Sequence, residues 1–161
     1  RSGVIDRLRG HPMARAVRVD KLTLAALEAT LELYATPGRA AGEIPALARL
    51  LEGVESLAGR AEQLCAALRG ACPGESFDVA EEVSEAGGGA LPGWSLPTRV
   101  VRWRPRQVAV AAMADRLRRG AVPVVARVRD DALLFDVRTL GADELSPLAS
   151  AVRAAAPGAV A

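Results

Sequence analysis

Apolar residues recur at helical spacing through the first half of the chain, and the spacing tightens towards alternation in the second half. Residues 3–9, GVIDRLR, read as the tail of a helix that Gly10, His11 and Pro12 break. The pattern restarts at Asp20. Leu24, Leu27, Leu31 and Tyr34 fall on one stripe, and Leu22, Ala26, Ala29 and Leu33 widen it. That width predicts a largely buried helix, capped at its start by the Asp20 carboxylate. Pro37 and Gly38 end it. EIPALARLLEGV predicts a short helix with Pro45 in its first turn. VESLAGRAEQLCAALRGAC predicts an amphipathic helix with Leu57, Ala61, Leu64 and Leu68 on one face.

The period then changes. SFDVAEEV alternates well enough to predict a half-exposed strand, with an irregularity between Val79 and Val83. SEAGGGALPGWSLPT predicts a loop long enough to suggest function. RVVRWR predicts a short strand. RQVAVAAMADRLRRG predicts a helix with Val108, Ala111, Ala112 and Leu117 inward. PVVARVRDDALLFDVRTL predicts a hairpin turning at Asp130 and Asp131, GADELSPLASAVRAA a closing helix, and residues 156–161 a frayed tail. The order of elements predicts a small α+β domain with a three- or four-stranded, mostly antiparallel sheet.

Composition narrows the function classes. The chain has 161 residues, enough for one domain with a real core. Almost all its positive charge is arginine, yet the net charge is only +2, which argues against a nucleic-acid binder that works by bulk charge. Cys65 and Cys72 form no CxxC pair and His11 is the lone histidine, so neither a metal site nor a disulfide framework is expected. Free thiols fit a reducing cytoplasm, and no apolar run suits a membrane span. The first residue is Arg, and the chain is expected to begin inside something larger.

Several residues invite chemistry. Arg15 and Arg18 are three apart just before a helix, a spacing that lets two guanidiniums chelate one phosphate-sized anion near a positive helix end. The bland alternative pairs them with carboxylates or leaves them in solvent. Lys21 is either a cofactor anchor or a solvated first-turn lysine. Gly87, Gly88 and Gly89 let backbone approach a ligand, or simply connect; they match neither a Walker loop nor a dinucleotide fingerprint. Arg127 sits between Ala126 and Val128 and needs a partner, either a substrate anion or a neighbouring Asp or Glu. Arg138 poses the same question more weakly. His11 reads as structural or exposed, Asp20 as a cap, and the two thiols as packing groups.

Taken together, HPMARAVRVDKLTLAALEATLELY, EIPALARLL, SEAGGGALPGWSLP and PVVARVRDDALLFDVRTL resemble, in order and over about residues 1–155, the bacterial L-seryl-tRNA(Sec) selenium transferase family, the selenocysteine synthases. The resemblance implies an enzyme of the aminotransferase-like fold (fold type I) dependent on pyridoxal 5′-phosphate. Such enzymes convert seryl-tRNA(Sec) to selenocysteinyl-tRNA(Sec) with selenophosphate, in the cytoplasm and as homo-oligomers. It implies that residues 1–35 are the linking region and long helix from the large domain, and 36–155 the C-terminal small domain. The family's cofactor lysine belongs to a segment expected upstream, Lys21 is not its match, and the isolated chain is expected to be inactive. Arg15 and Arg18 match two arginines that look like ligands for the selenium donor's phosphate, and Arg127 matches a strand arginine that is a candidate for substrate binding. Two departures stand out: Ala126 replaces a glycine, and Ala90 stands where serine is common. Two other readings remain: a non-catalytic remnant or interaction domain, and a related enzyme using the same cofactor on another small amino acid.

Overall fold

The computed structural model describes residues 2–36, 38–87, 91 and 93–156. The chain divides into two compact units, Arg1–Ala48 and Arg49–Ala161.

The first unit is helical. It contains α1 (Ser2–Gly10), α2 (Pro12–Ala16), α3 (Lys21–Ala35) and α4 (Arg39–Glu43). Helix α5 (Pro45–Leu51) carries the boundary between the units. His11 starts α2, its Nδ1 accepting the Met13 amide at 3.2 Å. Asp20 caps α3 as its sequence position predicts: one carboxylate oxygen accepts the Leu22 and Thr23 amides at 2.8 and 3.0 Å, the other the Thr23 hydroxyl at 2.9 Å. The Thr23 amide, first among these bonds, holds the Asp20 carboxyl below its ordinary pKa. The expected burial of α3 is not found. Leu24, Leu27, Leu31 and Tyr34 are all more than half exposed. Periodicity marks an apolar face, but coverage depends on a surface that packs against it, and among the described residues of the first unit none buries that face.

The second unit is a sheet with helices packed on one face. Its elements are α6 (Val54–Ala71), β1 (Phe77–Glu85), β2 (Ser95–Trp103), α7 (Val110–Arg118), β3 (Arg127–Arg129), β4 (Ala132–Asp136) and α8 (Leu145–Ala155). Short 3-10 turns at Val137–Thr139 and Ala142–Glu144 join β4 to α8. The sheet has the order β1-β2-β4-β3 and every pairing is antiparallel. β1 is continuous, paired one-to-one with β2 from Phe77–Trp103 to Glu85–Ser95, so the expected irregularity is absent. Residues 84–85 and 95–98 belong to this ladder, which shortens the predicted loop to 86–94. β4 ends at Asp136, and VRT, predicted as strand, forms the 3-10 turn instead.

Side-chain alternation divides the sheet into two faces. Phe77, Val101, Trp103, Leu133 and Phe135 face the helices and join Leu57, Ala61, Leu64 and Leu68 of α6 in the main core. The four α6 positions are those the helical stripe predicts, each wholly buried. Truncating one such leucine to alanine costs about 2–5 kcal/mol. Trp103 tilts against Phe77 with ring centroids 5.6 Å apart, and its indole N–H donates to Glu75 at 2.9 Å. That bond makes complete burial of the indole affordable. Cys65 and Cys72 pack in the same core, where burial pushes both thiol pKa values up. Of the residues expected inward around α7, Leu117 is buried and Val108 packs against the core, but Ala111 and Ala112 are exposed and Val110 and Met113 take the inward positions instead. Alanine is small enough to suit either side, so the larger Val, Met and Leu at positions 110, 113 and 117 decide the orientation.

Candidate functional site

Three groups of residues carry the chemistry singled out in the sequence. Arg15 lies in the last turn of α2. Val17 closes that helix with its amide on the Met13 carbonyl at 3.0 Å, and Arg18 follows on the irregular link to α3. Both arginines are exposed, and among the described residues neither takes part in an ion pair. The first amides of α3 are taken by Asp20, so the anion-binding capacity of this segment rests on the two guanidiniums. Lys21, the only lysine in the chain, is the first residue of α3 and exposed. A lysine that forms a Schiff base needs a desolvated or cation-flanked amine. No buried lysine exists here, so these residues do not fit a covalent pyridoxal-phosphate site.

The second group lies on the sheet face away from the helices. Val100, Ala132 and Leu134 form a small apolar cluster there. Around it the sequence places arginines and carboxylates in register. Arg102 pairs with Asp78 directly across the β1–β2 ladder, its Nε 2.8 Å from the carboxylate. Arg129 reaches Glu82 at 3.0 Å. Asp136, at the end of β4, is the centre of this network and is buried. Its Oδ1 accepts the Thr98 hydroxyl at 2.7 Å and the Arg138 amide at 3.1 Å. Its Oδ2 accepts the Ser84 hydroxyl and Arg127 Nη2, the latter at 3.3 Å. A buried carboxylate with four donors is fully satisfied. Arg127 thus has the neighbouring-acid partner, with a second bond from Nη1 to the Val83 carbonyl at 3.2 Å. Its side chain remains 43% exposed on a groove of about 490 Å³, lined by Ser84, Glu85, Arg129, Asp136 and Thr139 among others. The methyl of Ala126, the departure noted beside it, packs against the core.

The third group is structural. Arg138 is buried and has no carboxylate partner among the described residues. Its Nη1 donates to the carbonyls of Arg49 and Glu52 at 2.7 and 3.0 Å, and Nη2 to that of Pro97 at 2.6 Å. The first two carbonyls lie at the C-terminal end of α5, the negative pole of that helix. Arg49 answers with a bond to the Leu140 carbonyl at 2.8 Å, and Arg60 with bonds to Glu52 at 2.9 Å and to Val137 O at 3.1 Å. Three arginines thus fasten residues 49–60 to the segment 137–140.

Of the glycine-rich stretch, Gly88, Gly89 and Ala90 lie outside the described residues. Gly87 is described just past the end of β1, and Leu91 and Gly93 adopt left-handed backbone, φ 52° and 80°. Sequence reasoning did not single out Asp136, Arg129 or Trp94. Asp136 had one usable signal, an acid closing the otherwise apolar run ALLFD. Arg15 and Arg18 lie in the first unit and Arg127 in the second. Among the described residues no helix is long and apolar enough to cross a membrane.

Comparison with known proteins gives a consistent result. The family model described as "SelA: L-seryl-tRNA selenium transferase" matches residues 1–141. An L-seryl-tRNA(Sec) selenium transferase of Moorella thermoacetica is 45% identical over 161 residues, covering 99% of this chain and 34% of that protein. Proteins of the same name from Solidesulfovibrio magneticus and Geobacter sulfurreducens are 46% and 43% identical, over 91% and 95% of this chain and 32% and 33% of theirs. The chain therefore spans about a third of the length of the curated relatives it matches.

Proposed function

The chain belongs to the L-seryl-tRNA selenium transferase family, and on that premise we propose that it is the C-terminal part of a selenocysteine synthase. The whole enzyme converts seryl-tRNA(Sec) to selenocysteinyl-tRNA(Sec) with selenophosphate as selenium donor. The observation that carries this reading is the family match across residues 1–141, which includes RAVRVDK with both arginines in place. The second unit then corresponds to the small domain of an aminotransferase-like fold, and α3 to the long helix that leads from the large domain.

Pyridoxal phosphate supplies the electron sink for removing the serine hydroxyl, and a segment outside this chain holds it. The part assigned to this chain is electrostatic. Arg15 and Arg18, exposed and without ion pairs among the described residues, hold the phosphate oxygens of the selenium donor through charge-assisted hydrogen bonds. Guanidinium suits that task because it stays charged at every physiological pH and presents a planar fork to a tetrahedral anion. Asp20 and Thr23 keep the start of α3 fixed next to Arg18, so the guanidinium hangs from an ordered backbone. With Lys21 exposed in the first turn of α3, the 161-residue chain alone is inactive.

The reading is tested by incubating the full-length protein that contains this chain with seryl-tRNA(Sec), selenophosphate and pyridoxal phosphate. Formation of selenocysteinyl-tRNA(Sec) supports it. Conversion of a free small amino acid with no action on seryl-tRNA(Sec) contradicts it.

A further inference from the structure

We propose that Thr23 is a positioning residue for Arg15 and Arg18: its hydroxyl holds the Asp20 carboxylate in the cap of α3 and so keeps that anion off the two guanidiniums. This rests on the reading that Arg15 and Arg18 hold the phosphate of the selenium donor. Cations can hold a free anion well only if a carboxylate of their own chain does not already neutralise them. The sequence supplies one such competitor. Between Asp6 and Glu28 it places Arg7, Arg9, Arg15, Arg18 and Lys21, and Asp20 is the one acid among them.

The structure keeps this acid occupied. Asp20 Oδ1 accepts the Leu22 and Thr23 amides, and Oδ2 accepts the Thr23 hydroxyl at 2.9 Å. These bonds, the Thr23 amide first and the Thr23 hydroxyl second, hold the carboxyl below its ordinary pKa, so Asp20 is charged at neutral pH. Arg18 is two residues before it and Lys21 is next to it, yet among the described residues none of Arg15, Arg18 and Lys21 forms an ion pair. The two oxygens are not held alike. Oδ1 is bound by backbone amides that any residue but proline supplies at positions 22 and 23. Oδ2 is bound, among the described residues, by the Thr23 side chain alone.

The residue type fits the task. Thr23 is the third residue of α3, the position from which Glu or Gln commonly returns a bond to the cap. A glutamate there would set a second carboxylate beside the arginines. Threonine returns a bond without a charge. Its β-branched side chain is a weak helix former, so helix propensity does not account for its presence.

The test uses the full-length enzyme, with the KM for selenophosphate and the affinity for seryl-tRNA(Sec) measured separately. Thr23→Val keeps the shape and the helix propensity of threonine and removes the hydroxyl. It is expected to raise the KM for selenophosphate about threefold to fivefold, the size of one exposed ion pair that the phosphate must displace, with kcat and the affinity for seryl-tRNA(Sec) unchanged. Thr23→Ser is expected to keep the wild-type KM. The deciding variant combines Thr23→Val with Asp20→Asn, which caps the helix without a charge. Its KM is expected to equal that of Asp20→Asn alone, because no anion is left to compete. An equal rise on adding Thr23→Val to Asp20→Asn would overturn the proposal, since the hydroxyl would then act on the helix and not through the carboxylate. So would a rise in Thr23→Ser as large as in Thr23→Val. A wild-type KM in Thr23→Val, with a raised KM in Arg15→Gln and Arg18→Gln, removes the role of Thr23 and leaves the phosphate reading standing. A KM indifferent to the arginine variants removes both.

Discussion

The Arg138 guanidinium lies 2.7 Å from the carbonyl oxygen of Arg49, a buried cation held, among the described residues, by carbonyl dipoles alone. Together with its bonds to Glu52 O and Pro97 O, it joins the end of α5 to β2 and to the turn after β4. Replacing Arg138 with methionine fills similar volume but strands three carbonyls. We expect a loss of about 3 kcal/mol, seen as a lower urea midpoint with an unchanged slope. Wild-type stability in that variant would show that water replaces the guanidinium without cost.

Glu52 makes the same region sensitive to acid. Burial raises its carboxyl pKa, but the bonds from Arg60 and Ser56 and the charges of Arg60 and Arg49 outweigh burial, and the net shift is downward. A depressed carboxyl contributes stability that is complete above its unfolded pKa, about 4.3, and that is lost as pH falls through the lower folded value. Unfolding in urea between pH 7 and pH 3 should therefore show a decline below about pH 4 that shrinks in Glu52→Gln. An identical decline in that variant would move the effect to other acids.

The β3–β4 hairpin turns through Asp130 and Asp131, both in left-handed backbone with φ 49° and 53°. Two-residue turns of this kind favour glycine at the second position. Asp131→Gly should stabilise the protein by about 0.5–1 kcal/mol in chemical denaturation, relief of the left-handed strain exceeding the extra unfolded-state freedom. A loss of stability would mean that the aspartate makes a compensating contact.

Cys65 and Cys72 are buried in the main core with their thiol pKa values raised. The thiolate is the reactive form, so both should resist a thiol reagent in the native protein and react at once in denaturant. Fast reaction in native buffer would place one of them at an open surface.

Local signals carried much of this fold. The Asp20 cap, the face of α6 and the turn at Asp130 and Asp131 depend on neighbours in sequence, and each is where the pattern placed it. The exposure of α3 and the inward face of α7 depend on what packs where, and alanine-rich helices say little about that. The Asp136 network was illegible for a related reason. Arg127 lies on the same hairpin as Asp136, but Ser84 and Thr98 are 52 and 38 residues from it, and the four meet only once the register of four strands is set. The family resemblance came through the order of several motifs, RAVRVDK first among them, and it made Arg15 and Arg18 candidate anion ligands where spacing alone left them open to a solvent-exposed reading.

The most direct test of the central claim is the KM for selenophosphate in the full-length enzyme with Arg15→Gln and Arg18→Gln. If the two guanidiniums hold the donor's phosphate, each variant raises that KM by about tenfold or more, consistent with the loss of one charged hydrogen bond, while the affinity for seryl-tRNA(Sec) stays at its wild-type value. A KM unchanged in both variants, or an equal loss of seryl-tRNA(Sec) binding, would contradict the assignment.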